Sequence, residues 1–209
     1  MTTIEHAMLG ISGVLATGLY RPYGWQLCGA AAVAAVLPDW DGLTFLGGMT
    51  LFDSAHRAWG HGLLSCCIVG IMWALLDCRY DFISRGVKGL LRLTRVEVPE
   101  SAVICRTRPT TGDYLVWLAV VLVAVLSHPF ADMLVSGAPG LSDWEIKIFW
   151  PFSDVGWVFP MVPWGDIGVS VLFFAGMFLM VWRKKQIQWT AGMTLALVAI
   201  YMVIRGFLR

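Results

Sequence analysis

Between Tyr114 and Val135 the only side chains that readily carry charge near neutral pH are His128 and Asp132. An apolar run of about 20 residues is what a helix needs to cross the hydrocarbon core of a bilayer. Three further segments read in the same way, Gly62–Leu76, Ile167–Trp182 and Trp189–Leu208. Two shorter ones, Ala7–Tyr20 and Trp25–Leu37, are joined only by Arg21-Pro22-Tyr23-Gly24 and read as a helical hairpin. Composition agrees: 58% of the chain is hydrophobic and 14% charged, against about 45–50% and about a quarter in soluble domains. The expected fold is an all-α polytopic membrane helix bundle of about six membrane helices. A net charge of +1 excludes a broadly basic nucleic-acid binder.

The amino terminus has no Lys or Arg before its first apolar stretch, so a cleaved signal peptide is not expected. With no fixed-period repeat and no Gly/Ser linker, residues 1–209 read as one integral membrane domain. Its polar core falls at about 4–166, and two C-terminal membrane helices follow at 167–208. Short loops rich in Lys and Arg stay cytoplasmic. The connection Cys78–Asp113 carries Arg79, Arg85, Lys88, Arg92, Arg95, Arg106 and Arg108, and the last interhelical link carries Arg183, Lys184 and Lys185. Both belong inside. Helix alternation then puts Pro38–His61 and Ser136–Asp166 on the extracytoplasmic side, with both chain ends, in a multi-pass protein of the cytoplasmic (inner) membrane. Apolar residues interleaved with Arg85, Lys88, Arg92 and Arg95 fit an amphipathic helix on an anionic leaflet or a solvated basic loop.

Cysteine contributes little. Cys28, Cys66 and Cys67 fall in membrane segments, and Cys78 and Cys105 fall on the reducing side. The number is odd and no pair has Cys-x-x-Cys spacing, so neither a disulfide framework nor a thiolate metal site is expected.

Histidine was not used to draw this topology, yet His6, His56, His61 and His128 all land at the outer end, level with Asp39, Asp41, Asp132 and Asp154. His128 and Asp132 are four residues apart, one turn on one helix face, as two ligands of one metal need. Pro129 between them opens the helix locally. Ionisable groups inside a span mark function by default; the alternative is a structural His–Asp bond between helices. Asp39 and Asp41 lie in Leu37-Pro38-Asp39-Trp40-Asp41-Gly42. That segment either curls two carboxylates onto one or two cations or is a turn chosen for its backbone. His56 and His61 would point about 140° apart on a continuous helix. Unwinding at Gly60 would let one act as a ligand and the other serve a second ion or as acid/base. Arg57 suits an anionic or phosphate group. His6 reads as a ligand or an ordinary interfacial residue, and Asp154 as a residue that closes the site or orients a ligand from behind. The outer tryptophans, Trp40, Trp59, Trp144, Trp150, Trp157 and Trp164, read mainly as an interfacial belt.

An early His, Leu37-Pro38-Asp39-x-Asp41, His56-Arg57-x-Trp59-x-His61 before a leucine-rich helix, Ser127-His128-x-x-x-Asp132 and Trp150-Pro151-Phe152-Ser153-Asp154 together resemble the YdjM-type membrane-bound metal-dependent hydrolases. That resemblance implies a metal site with Asp39, His56 or His61, His128 and Asp132 as ligands. It also implies a more distant likeness to the all-helical zinc phospholipase C and P1-nuclease group, in which an Asp, a His and a His-x-x-x-Asp pair hold zinc for phosphodiester cleavage. Four histidines are too few for that group's three-zinc cluster, and His61-Gly62 stands where the family usually has His followed by Ser. The expectation is one or two divalent ions, zinc first and manganese or iron as alternatives.

The functional expectation is hydrolysis at the outer membrane interface of a lipid, lipid-linked or phosphoester substrate, with membrane lipids as the surroundings. Asp41 or His61 would move protons or bind a second ion, and Arg57 would hold the anionic part. The alternatives are a non-enzymatic metal or proton transporter and a bundle stapled by a structural metal. A transporter needs polar groups through the full bilayer depth, and the inner halves of these helices offer almost none.

Overall fold

The computed structural model describes residues 1–94, 108–138 and 143–208. Its helices are α1 (Thr3–Thr17), α2 (Tyr20–Tyr23), α3 (Trp25–Val36), α4 (Met49–Ala55), α5 (Leu63–Tyr80), α6 (Phe82–Thr94), α7 (Thr111–Leu134), α8 (Ile167–Trp182) and α9 (Ile187–Phe207), with a 3-10 segment over Leu37–Gly47 between α3 and α4. No β-strand occurs among the described residues, only two isolated bridges, Val135 with Val162 and Ile146 with Trp157. The all-α expectation therefore holds.

Among the described residues three helices are long and apolar enough to cross a membrane: α5, α7 and the stretch Lys184–Phe207 that contains α9. α8 is apolar but shorter. A count of about six would need α1, α3 and α8 to cross as well. Large apolar side chains point outward along these helices, among them Met72 on α5, Val123 on α7, Phe178 on α8 and Ile200 on α9, which is the surface a hydrocarbon solvent requires. α6 forms as a helix with Phe82, Leu90 and Leu93 exposed. Arg95, Cys105 and Arg106 lie outside the described residues, and among the described residues Cys28, Cys66, Cys67 and Cys78 are not joined by disulfides.

α1 starts at Thr3, earlier than its apolar run, because Thr2 and Glu5 form a reciprocal capping box: the Thr2 hydroxyl accepts from the Glu5 N–H, and Glu5 accepts from the Thr2 N–H at 2.8 Å. It stops at Gly18, which takes the left-handed conformation (φ 75°). Between these ends α1 lies against α3 on a face of small residues. Ala30, Ala31, Ala34 and Ala35 are fully buried, and a Cβ at Gly10 would stand 2.5 Å from the Ala31 carbonyl oxygen. Without water to drive helices together, such close backbone approach is what holds membrane helices in contact. α3 in turn packs on α7, and α7 on α5, around Leu27, Cys66, Ala74, Trp117, Val121 and Val125. α8 and α9 close the other side of α1 through Met8, Val169, Phe173, Val198 and Met202. The start of α8 is tied to the end of α9 by Asp166, which accepts from the Tyr201 hydroxyl at 2.7 Å and from Arg205 at 3.3 Å.

Gly10→Leu overfills the α1–α3 contact, and overpacking of this kind costs about 1–3 kcal/mol. The expected result is a lower midpoint of thermal unfolding in detergent. Gly13→Leu, at a position where a Cβ meets nothing within 4 Å, should melt close to the parent protein.

Candidate metal centre

Four pieces of chain meet at one end of the bundle: the start of α1, the 3-10 segment after α3, the turn between α4 and α5, and the last turns of α7. α7 runs unbroken through Pro129 and sets His128 and Asp132 on one buried face. The 3-10 segment begins at the last turn of α3, with Pro38 early in it, and its length is unusual for a geometry seldom used beyond three or four residues. It turns Asp41 fully inward and leaves the Asp39 side chain 30% exposed. Between α4 and α5 the chain is not continuous helix. Arg57 has φ 62°, a left-handed conformation uncommon for a residue with a Cβ, and it reverses the direction in which His56 and His61 point. Gly60 is required here, because a Cβ would collide with the carbonyl of Pro38.

The result is a compact quartet. Asp39, His61, His128 and Asp132 each offer one ligand atom, and all four atoms lie within 4.8 Å of one another. His128 Nε2 is 3.2 Å from His61 Nε2 and 3.3 Å from Asp39 Oδ1. His61 Nε2 is 3.7 Å from both Asp39 Oδ1 and Asp132 Oδ2, and His128 Nε2 is 3.7 Å from Asp132 Oδ2. A tetrahedral ion with bonds of about 2.0–2.1 Å has ligand–ligand edges of about 3.4 Å, so these spacings fit one ion.

Proton placement makes the fit chemical as well as geometric. His128 Nδ1 is 2.6 Å from the Ala35 carbonyl oxygen, which can only accept, so Nδ1 carries the proton and Nε2 presents a lone pair. His61 Nδ1 donates to Asp41 Oδ2 at 2.9 Å, which leaves its Nε2 in the same state. Two imidazole lone pairs and two carboxylates thus converge with no donor among them, a set that can hold a cation. A proton on His61 is the minimal one. Burial disfavours it, but the carboxylates of Asp132 and Asp41 outweigh burial and lift His61 from 6.5 to about 9. Burial likewise opposes ionisation of Asp39, and His128 and His61 overcome it, so that carboxyl lies below its usual range.

Asp41 stands behind the quartet. Besides His61 it accepts from His56 Nδ1 at 2.9 Å and from the Gly60 N–H at 2.9 Å. Burial works against the charge, yet these three donors hold the carboxyl well below its ordinary range. Asp41, expected to move protons or bind a second ion, accepts from both imidazoles and so fixes their orientation. His56 lies on the far oxygen of Asp41, outside the quartet, and lines the adjoining cavity. His6 does not join the quartet. It donates toward Asp132 Oδ1 at 2.9 Å and stacks on the His128 ring, with centroids 3.7 Å apart, so it supports two ligands from behind. The Met1 amino group lies against the same Asp132 oxygen. Asp154 sits at the surface in an ion pair with Lys147 at 3.0 Å. Arg57 is buried, donates to the Trp144 carbonyl at 2.7 Å, stacks on the Trp144 ring at 5.2 Å and reaches 3.6 Å from Asp132 Oδ2.

Three contributors escaped sequence reasoning. The Ala35 carbonyl acts through backbone alone. Trp144 was read only as part of the belt. Gly62 had looked like a departure from the family pattern, but a Cβ there would stand 2.9 Å from the Trp150 carbonyl. Glycine therefore lets the Trp150 segment close over His61, while Leu63 N–H donates to the Ile148 carbonyl at 2.8 Å.

The quartet opens on a cavity of about 760 Å³ whose walls include Asp39, Asp132, His56, Arg57, Phe52 and Trp144. With that architecture established, comparison with known proteins places it. The YdjM inner membrane protein family matches residues 1–209, and the chain belongs to that family of integral membrane proteins. No curated protein and no solved structure gives a match.

Two measurements check the assignment. Substituting an outer-shell partner typically weakens metal binding about 10–100-fold, so Asp41→Asn should do so in competition dialysis. His128→Ala and Asp132→Ala should retain no stoichiometric metal. Unchanged affinity in Asp41→Asn would remove its orienting role. Because a bound metal must displace the His61 proton, apparent affinity should climb about tenfold per pH unit and level off only near pH 9. An ordinary histidine would level off near 6.5. Titration in weak buffer at pH 7–8 should release about one proton per ion.

Proposed function

We propose that the chain is a membrane-bound metal-dependent hydrolase acting at the extracytoplasmic face of the inner membrane on an anionic lipid or phosphoester. The observation that carries this reading is the way the quartet meets its cavity. Asp39 and Asp132 are at once ligand-bearing and part of the wall of a 760 Å³ chamber, a size suited to a small-molecule substrate. A purely structural site is closed on all sides. A transport path is disfavoured because Leu27, Ala31, Val121 and Val125 fill the bundle below the quartet.

Two nitrogens and two oxygens suit zinc, and also manganese or iron. When bound, such an ion supplies Lewis acidity toward a carbonyl or phosphoryl oxygen and lowers the proton affinity of water beside it. The chain does the rest. Asp41 keeps His61 in the tautomer that binds, and the Ala35 carbonyl does the same for His128. His56 gives its Nδ1–H to Asp41 and so keeps Nε2 as the basic nitrogen at the cavity wall. There it takes a proton from the attacking water and returns one to the leaving group. Arg57, fixed by the Trp144 carbonyl and ring, binds the anionic part of the substrate. Phe52, Trp144 and Trp164 line the same chamber and limit water.

Chelation should abolish hydrolysis of fluorescent phospholipid and bis-nitrophenyl phosphate substrates by the purified protein, and added zinc or manganese should restore it. Loss of a general acid–base costs about 10²–10⁴-fold. His56→Gln should therefore lower kcat by a factor in that range with metal content intact, whereas Arg57→Ala should act mainly through KM. Stoichiometric metal with no turnover on either substrate would leave a structural staple as the function.

A further inference from the structure

Asp39 belongs to two cavities. One is the polar chamber beside Arg57. The other is an apolar groove of about 500 Å³ on the outside of the α1–α3 pair, lined by Ala7, Ala32, Val33, Val36, Trp40 and Leu43. Asp39 is the groove's one ionisable lining residue, and a carboxylate facing hydrocarbon is costly unless it serves a site. The groove's outer wall is apolar and exposed. Val33, Trp40 and Leu43 are exposed, and the 3-10 segment and α4 continue outward with Phe45, Leu46, Met49 and Leu51 exposed as well. Neither element is long enough to cross, so this apolar surface suits the headgroup–acyl boundary, with Trp40 at the interface.

From this continuity we infer that the groove holds an acyl chain of a phospholipid whose phosphate headgroup lies in the polar chamber beside Arg57, with Asp39 at the junction of the two. The inference rests on the hydrolytic reading for what happens to the lipid, but not for its binding. Arg57 supplies the charge complementarity for the phosphate, and the groove admits the chain sideways from the leaflet, so the lipid need not leave the membrane.

The test uses the metal-loaded protein in phosphatidylcholine vesicles doped with a phosphatidic acid that carries a diazirine in one acyl chain. Cross-links are mapped by mass spectrometry, and labelling of the outward α9 residues Ile200, Val203 and Ile204 gives the bulk-lipid baseline. Labelling over residues 32–43 should exceed that baseline. Ala32→Trp or Val36→Trp, each checked for retained metal so that one folded variant suffices, should lower it about tenfold. Arg57→Ala should lower it too. Ala119→Phe, which fills a separate apolar cavity of about 320 Å³ that Ala119 lines between α1 and α7, should not. Labelling of 32–43 at baseline, or labelling indifferent to both Trp variants, overturns the proposal. Enriched, Trp-sensitive labelling without hydrolysis of the same lipid supports the groove and counts only against the enzymatic reading. Hydrolysis of a short-chain phosphatidic acid with labelling at baseline upholds the enzyme and overturns the groove.

Discussion

The electrostatic cost of gathering two carboxylates and two imidazole lone pairs inside an apolar bundle governs this structure. Five of the six pairs among these acceptors lie 3.2–3.7 Å apart; they repel in a medium of low dielectric, and a cation at their centre would make the arrangement favourable. Each surrounding feature serves that centre. The Ala35 carbonyl and Asp41 each take the outward proton of an imidazole. His6 occupies the oxygen of Asp132 that faces away from the quartet and stacks on His128. Removing one such partner changes where a proton sits, and so changes what the quartet can bind.

Placing these groups requires irregular backbone close to the membrane, which is tolerated only where protein covers it. The turn through Arg57, Gly60 and His61 is covered in this way, whereas the 3-10 segment buries only Pro38 and Asp41. The Gly60 N–H is taken up by Asp41, Lys147 N–H by the Arg57 carbonyl at 3.0 Å, and Leu63 N–H by the Ile148 carbonyl. The loops are therefore more than connections between spans. They pair with the backbone around His61, and glycine is needed at 60 and 62, where carbonyls approach closely.

How much of this was legible in the sequence follows from which interactions are local. His128 and Asp132 share a helix face at fixed spacing, so their pairing could be read directly. The apolar runs marked α5, α7, α8 and α9 to within a few residues. α1 began earlier than its hydropathy indicated because Thr2 and Glu5 cap it, a local signal that a hydropathy reading overlooks. The choice between His56 and His61 was not legible, because it depends on a left-handed residue at 57 and on tertiary contacts with Pro38 and Trp150. Spacing alone did not separate Asp41 from Asp39, for the same reason; the family resemblance singled out Asp39 as the ligand. Two carboxylates two residues apart acquire different roles only once the chain curls, which turns Asp41 inward to three donors and leaves Asp39 at the cavity wall.

Asp132 is shared between the quartet and Arg57. Its Oδ1 is held by His6, while Oδ2 faces both the two Nε2 atoms and the Arg57 guanidinium at 3.6 Å. Were a divalent ion held by the quartet, Oδ2 would share its charge with that ion, and the Arg57–Asp132 attraction would weaken. Arg57 remains fixed by the Trp144 carbonyl and ring. Under the proposed function its charge would then be directed at the chamber, where a phosphate would take the place of Asp132 as its partner. An ion held by the quartet would thereby free the neighbouring cation for an anionic substrate, and metal and substrate binding would be coupled through this one carboxylate.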